Sequence, residues 1–183
     1  MPIVIQCCFV NHHYLHISKE TCNYVKGALF NCYARVFLMW CAHHHHCIGF
    51  FAMREKESAA TAFEALFTRF QQPPKWFIFD NACNLKSYVL NREPTHFKHM
   101  TTLVDQYHYT NSHNNCCTAF HSKHYACVEN SSLAEQKNSK LDLIRIQILY
   151  MTQFNFLFFL RHFLYRLNQM EAAKRAALDN EDV

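Results

Sequence analysis

The sequence predicts a single α/β domain, and three observations carry that prediction. Continuous apolar runs of strand length occur at Val36–Cys41, Cys47–Met53 and Trp76–Phe79. Segments of helical period lie between and after them, from Ala59 and again from Ser132. The chain has 183 residues, 50% hydrophobic and only 17% charged, enough for one sizeable core and too apolar for disorder.

Taken in order, Met1 to Val10 reads as a strand or the remnant of one. Residues 11–34 mix Cys, His and Tyr without clear period. Val36–Cys41 is apolar throughout, as a strand buried on both faces should be. A His-rich turn follows, and Cys47–Met53 reads as the antiparallel partner. Ser58 caps a helix from Ala59 to about Phe70, with Ala59, Phe63, Leu66, Phe67 and Phe70 on its expected inner face. Pro73-Pro74 stops that helix. Lys75 to Asp80 is the next strand, Ala82 to Asn91 a helix, and Thr101 to Val104 a short strand. Residues 105–129 read as loop. From Ser132 the stripe Leu133, Leu141, Ile144, Ile148 is helical, and Phe154, Phe158, Leu160, Phe163 and Leu167 form a further packing stripe. Weakening is expected at Asn168, and a charged tail over 171–183 is expected to fray. Domain 1–170 therefore reads as one unit. Two strands, a helix, a strand ending in an acid and then helices agree with an RNase H-like core followed by α-helices.

Composition excludes several classes. Only Gly27 and Gly49 occur, so no glycine-rich phosphate loop is present. A net charge of +4 permits a nucleic-acid partner without requiring one. Ten Cys would suit a disulfide-rich secreted chain. Met1-Pro2-Ile3-Val4-Ile5-Gln6 has no signal-peptide pattern, so reduced thiols and a non-secreted protein are expected. The apolar stretch Ile146 to Leu160 contains Gln147, Thr152, Gln153 and Asn155 and falls short of the roughly 20 residues of a membrane span. A membrane-associated role for it is the least favoured reading.

The first Asp in the chain is Asp80, delivered by the apolar run Trp76-Phe77-Ile78-Phe79. A buried strand that ends in a carboxylate is a common way to place a metal-binding acid. The alternative is a helix N-cap. Downstream come Asp105-x-x-His108-x4-His113-x-x-Cys116 and Asn130-Ser131-Ser132-x-x-Glu135-Gln136. Glu135 is either a metal-binding acid or the acid of a capping box with Ser132. His108, His113 and Cys116 have zinc-compatible spacing, with Cys41, His43 or Cys83 as further ligands; a polar loop with buried thiols is the competing reading. His43 to His46 read as a turn. Arg161, Arg166, Lys174 and Arg175 suit either DNA phosphates or a solvated helix face.

Cys41-x-His43, Glu57-Ser58, Pro74 to Asp80 with Ala82-Cys83, Arg92-Glu93-Pro94, Val104-Asp105-x-x-His108, His113-x-x-Cys116, Asn130-Ser131-Ser132 and Glu135-Gln136-x-Asn138 together resemble the Kyakuja-Dileera-Zisupton (KDZ) family of DDE transposases, over about Val36 to Asn168. The resemblance implies an RNase H-like fold and two Asp and one Glu holding Mg²⁺ or Mn²⁺ for DNA cleavage and strand transfer. By carry-over Asp80 is the second acid and Glu135 the third. Asp105-x-x-His108 matches an Asp/Cys-x-x-His element found after the second acid. The first acid belongs on the first strand, where residues 1–35 offer only Glu20, in a context unlike a strand end. That strand is therefore expected to be missing or degenerate. The resemblance implies a nuclear, transposon-derived domain that contacts DNA and is inactive as this chain. A zinc-stabilised module for interaction or homo-oligomerisation is the alternative.

Overall fold

The computed structural model describes residues 4–11, 35–53, 58–113, 118–125, 132–144, 147–148 and 151–181. Glu20, Glu57, Cys116, Asn130 and Ser131 lie outside the described residues. The protein is mixed α/β, built on a sheet of five strands: β1 (Val4–Asn11), β2 (Arg35–Cys41), β3 (Cys47–Met53), β4 (Trp76–Ile78) and β5 (Thr101–Leu103). Their order across the sheet is β3-β2-β1-β4-β5. β1, β2 and β3 form an antiparallel meander, while β4 and β5 run parallel to β1. The expected β2–β3 hairpin is present, closed by a tight turn in which His45 takes φ 58°. Gly49 pairs with Met39 beside an irregularity in this ladder, and a Cβ at Gly49 would meet Met39 Cε at 2.9 Å.

A strand is present where Met1 to Val10 reads as a strand or the remnant of one. β1 sits at the centre of the sheet, and its sequence VIQCCFVN contains no carboxylate.

β2 shows why its run is apolar at every position: it is covered on both faces, with successive side chains pointing to opposite sides. Phe37 and Met39 pack with Phe77, Phe79 and the helices α1 (Ala59–Arg69) and α2 (Ala82–Arg92). Val36, Leu38 and Trp40 pack with α5 (Leu133–Asp142) and α6 (Gln153–Glu181). Between β4 and α5 the chain forms α3 (Pro94–Phe97), α4 (Gln106–His108), a π-turn at Tyr109–His113 and two 3-10 turns at Thr118–Phe120 and Ser122–His124. Within the expected 105–129 loop, the described residues therefore include short helices and turns.

Helix starts follow their local chemistry. Ser58 Oγ accepts from Thr61 N at the start of α1, as its cap pattern requires. Pro94 opens α3 at a position where its missing N–H costs nothing.

Three expectations are corrected. On α1 the buried stripe is Ala62, Ala65 and Leu66, whereas Phe67 is exposed. Alanines let the helix approach the sheet closely, and the Phe63 and Phe67 rings pack sideways on Phe97 and His96. On α6 the inner stripe is Phe156, Leu160, Leu164 and Leu167, while Phe154 and Phe158 face outward. Asn168 does not end that helix, which runs on through the charged residues 171–181. α6 continues through Glu181, because Asn168 and Glu171 turn inward and find partners. Among the described residues no helix is long and apolar enough to cross a membrane.

Candidate functional site

β4 and β5 are parallel neighbours, so both deliver their following residues to one edge of the sheet. That edge, at the carboxyl ends of parallel strands, is where α/β folds commonly place their chemistry. Phe79 N donates to Leu103 O at 2.8 Å, which prolongs the pairing to the residue before Asp80. Asp80 then turns the chain into α2. Its Oδ1 accepts from Asn81 N at 2.7 Å, and Asn81, not Asp80, holds the N-cap position.

Asp105 stands in the equivalent place after β5 and is 3% exposed. Its Oδ1 accepts from His108 N at 3.0 Å, capping α4. Its Oδ2 accepts from His108 Nδ1 at 2.6 Å. One helical turn brings residue 108 back over residue 105, so the Asp-x-x-His spacing makes both bonds locally. Glu135 arrives from elsewhere, in the first turn of α5, where the positive end of the helix favours a carboxylate. Its Oε1 lies 3.7 Å from His108 Nδ1, and its Oε2 is buried without a hydrogen-bond partner. Ser132 holds the N-cap of α5 without a side-chain capping bond.

Ligand atoms of Asp105, His108 and Glu135 all lie within 4.8 Å of one another. The electrostatics match this crowding. The hydrogen bond to Asp105 holds the His108 imidazole above its ordinary pKa against the opposing effect of burial, with added pull from the charges of Asp105, Glu135 and Asp80. Burial raises the Glu135 carboxyl, and the charges of Asp105 and Asp80 raise it further. Asp80 is thus electrically coupled to both residues while standing outside the trio. Such a group holds negative charge in excess at a partly dry sheet edge, and a cation relieves that excess.

The remaining residues singled out by sequence lie elsewhere. The strand register sets Cys41 level with Ile5 and Phe77, on β2, two strands from β4 and three residues short of Asp80. At ~4.8 Å between strands and ~3.3 Å per residue, that is ~14 Å from Asp80. Cys41 Sγ is 3.2 Å from His44 Nδ1, and His43 sits on the same turn, its carbonyl accepting from Arg175. Cys83 is on the first turn of α2, its Sγ 4.0 Å from Asn81 Oδ1. None of Cys41, His43 and Cys83 joins the trio. His113 closes the π-turn that follows His108.

Sequence reasoning missed Lys137, buried two residues after Glu135 and paired with Glu171 of α6. It also missed Gln106, whose Oε1 is 3.0 Å from His121 Nε2, with the His121 ring stacked on Tyr109 at 3.8 Å. A Lys at an otherwise apolar helix position between Ala134 and Leu141 was the available signal for Lys137. Nothing local marks Gln106. The chain matches no family model, no curated protein and no solved structure.

Proposed function

We propose that this chain is a KDZ transposase-derived, RNase H-like domain that binds DNA and no longer cleaves it. One observation carries the reading: Asp80 and Glu135, the two acids matched by motif, come from the turn just past β4 and from a helix packed against the central strand β1, and the charge of Asp80 helps raise the Glu135 carboxyl. The strand order β3-β2-β1-β4-β5, with an antiparallel meander followed by two strands parallel to β1, supports the RNase H-like assignment.

In this reading one hard cation binds here. Asp80 and Glu135 supply carboxylate oxygens, and the partnerless Glu135 Oε2 is a buried acceptor such an ion satisfies. Mg²⁺ or Mn²⁺ bound there would supply charge stabilisation to a phosphodiester under attack. The set falls one carboxylate short of the pair of ions such chemistry uses, because β1 contributes none. By extension of the β1–β4 register, in which Gln6 pairs with Ile78, Cys8 stands level with Asp80. Loss of an acid at that level accounts for a domain that keeps the scaffold and has lost cleavage. DNA contact then rests on the basic balance of the chain and exposed side chains such as Arg161 and Arg166, and implies a nuclear location.

The test is Mn²⁺-dependent nicking of supercoiled DNA, with DNA affinity followed as salt is raised. The wild type and Asp80→Ala are expected to be equally inactive and to bind DNA with a salt-dependent affinity. Cys8→Asp is expected to gain nicking that Asp80→Ala removes again. Nicking by the wild type that survives Asp80→Ala would sink the assignment.

A further inference from the structure

We infer that Asp105, His108 and Glu135 form a binding site for a single borderline divalent ion of the zinc type, distinct in preference from an all-oxygen Mg²⁺ site. The ion takes the place of the proton between His108 Nδ1 and Asp105 Oδ2, which stand 2.6 Å apart. Glu135 Oε1, 3.7 Å from the same nitrogen, is the third donor. That proton leaves to solvent, and the ring binds through Nδ1 as a neutral imidazole with its one remaining N–H on Nε2.

The choice of ion follows from the donors. One imidazole nitrogen with two carboxylate oxygens suits Zn²⁺, Co²⁺ or Mn²⁺, whereas Mg²⁺ prefers oxygen and retained water. Zinc ligands lie at about 2.0–2.2 Å from the metal and so about 3.4 Å from one another in a tetrahedral set, which requires the His108–Asp105 contact to open by about 0.8 Å and Glu135 to close by about 0.3 Å. Two members are already fixed: Asp105 is buried and caps α4, and its hydrogen bond orients the His108 ring. The side of access is defined as well, since the His108 and Glu135 side chains are 32% and 39% exposed. Three protein donors leave a fourth position open to water, the pattern of a reactive rather than a closed structural site.

The site stands on geometry alone and shares only Glu135 with the proposed function, so it is tested by metal binding without DNA. Co²⁺ alone, read by visible absorption, and Zn²⁺ alone, read by calorimetry, are titrated into the full chain. One tight equivalent is expected in the wild type and in His44→Ala/His46→Ala, which removes the imidazoles beside Cys41. His108→Ala and Glu135→Gln are each expected to weaken it at least tenfold and to change the Co²⁺ spectrum. Glu135 is partly exposed on a helix, so Glu135→Gln remains informative if His108→Ala unfolds, with circular dichroism as the check. Absence of a stoichiometric Co²⁺ site, or one that is lost in His44→Ala/His46→Ala but kept in Glu135→Gln, overturns the inference. So does a Mg²⁺ site indifferent to His108, an outcome that leaves the transposase reading standing.

Discussion

The Lys137 ammonium lies 2.7 Å from the Glu171 carboxylate, with both side chains nearly closed to solvent, and this contact fastens α5 to α6 two residues beyond Glu135. Lys140 joins at 3.1 Å and Lys174 at 3.9 Å. Lys137 also lies 5.9 Å over the ring of the fully buried Trp40.

Removing the anion strands a buried cation, which costs more than the pair contributes when intact. Glu171→Gln is expected to lower unfolding free energy by about 3 kcal/mol, measured by urea denaturation. The pH dependence has a definite sign. Burial works to raise the Glu171 carboxyl, but hydrogen bonds from Lys137 and Lys140 prevail and hold it down to about 2. Its contribution is therefore present above the unfolded value of 4.5 and is lost as pH falls from there towards 2. The gap between wild type and Glu171→Gln should shrink over that window; a constant gap would exclude the ion pair as its source.

Asp105→Asn tests the other buried charge. With metal chelated, the substitution removes the main cause of the raised His108 pKa, so the imidazole should titrate lower when followed by NMR. A raised folded-state pKa gives stability that is full below 6.5 and fades as pH rises through the folded value. The stability profile of Asp105→Asn should be flatter across that rise. An unchanged His108 titration would show that the Asp105 bond does not set it.

Asn168 resembles one residue of an added strand. Its Oδ1 accepts from Cys47 N at 2.8 Å, and its Nδ2 donates to Cys47 O at 2.9 Å, at the start of edge strand β3. Asn168→Ala is expected to cost about 2 kcal/mol, one typical contribution for each bond lost. It should also raise aggregation in light scattering, since an uncovered edge invites pairing with another chain.

His45 pays a backbone penalty at φ 58° in the β2–β3 turn. His45→Gly is expected to raise stability by about 0.5–1 kcal/mol, because glycine takes that conformation without steric cost. A fall in melting temperature would mean that the imidazole makes contacts worth more than the strain.

What was legible in the sequence divides along physical lines. Val36–Cys41, Cys47–Met53 and the Ser58-capped helix were readable because their signals are local: apolar runs and a capping hydroxyl. Asp80 followed from its strand, whereas the Asp105–His108 bond, though it spans a single turn, was not drawn from the Asp-x-x-His spacing. The faces of α1 and α6 were not readable. Both helices carry large apolar residues around much of their circumference, and only the sheet decides which side is covered. Ala62 and Ala65 win over Phe67, and Phe156 over Phe154, because Phe37 and Met39 on one face, and Val36, Leu38 and Trp40 on the other, were already there to be matched. The meeting of Glu135 with His108, and of Lys137 with Glu171, joins residues of separate elements, which no local pattern encodes.

The central place of β1 has a kinetic consequence. Its antiparallel partner β2 begins at Arg35, but its parallel partner β4 begins only at Trp76. Closing so long a loop is entropically slow, and the reward arrives only after α1 has formed in between. During synthesis one side of β1 must wait for some seventy further residues, exposed to any other strand that arrives sooner. The slow step in folding should therefore be the docking of β4 along β1. Variants of Phe77 that loosen this seam would then slow folding more than they speed unfolding.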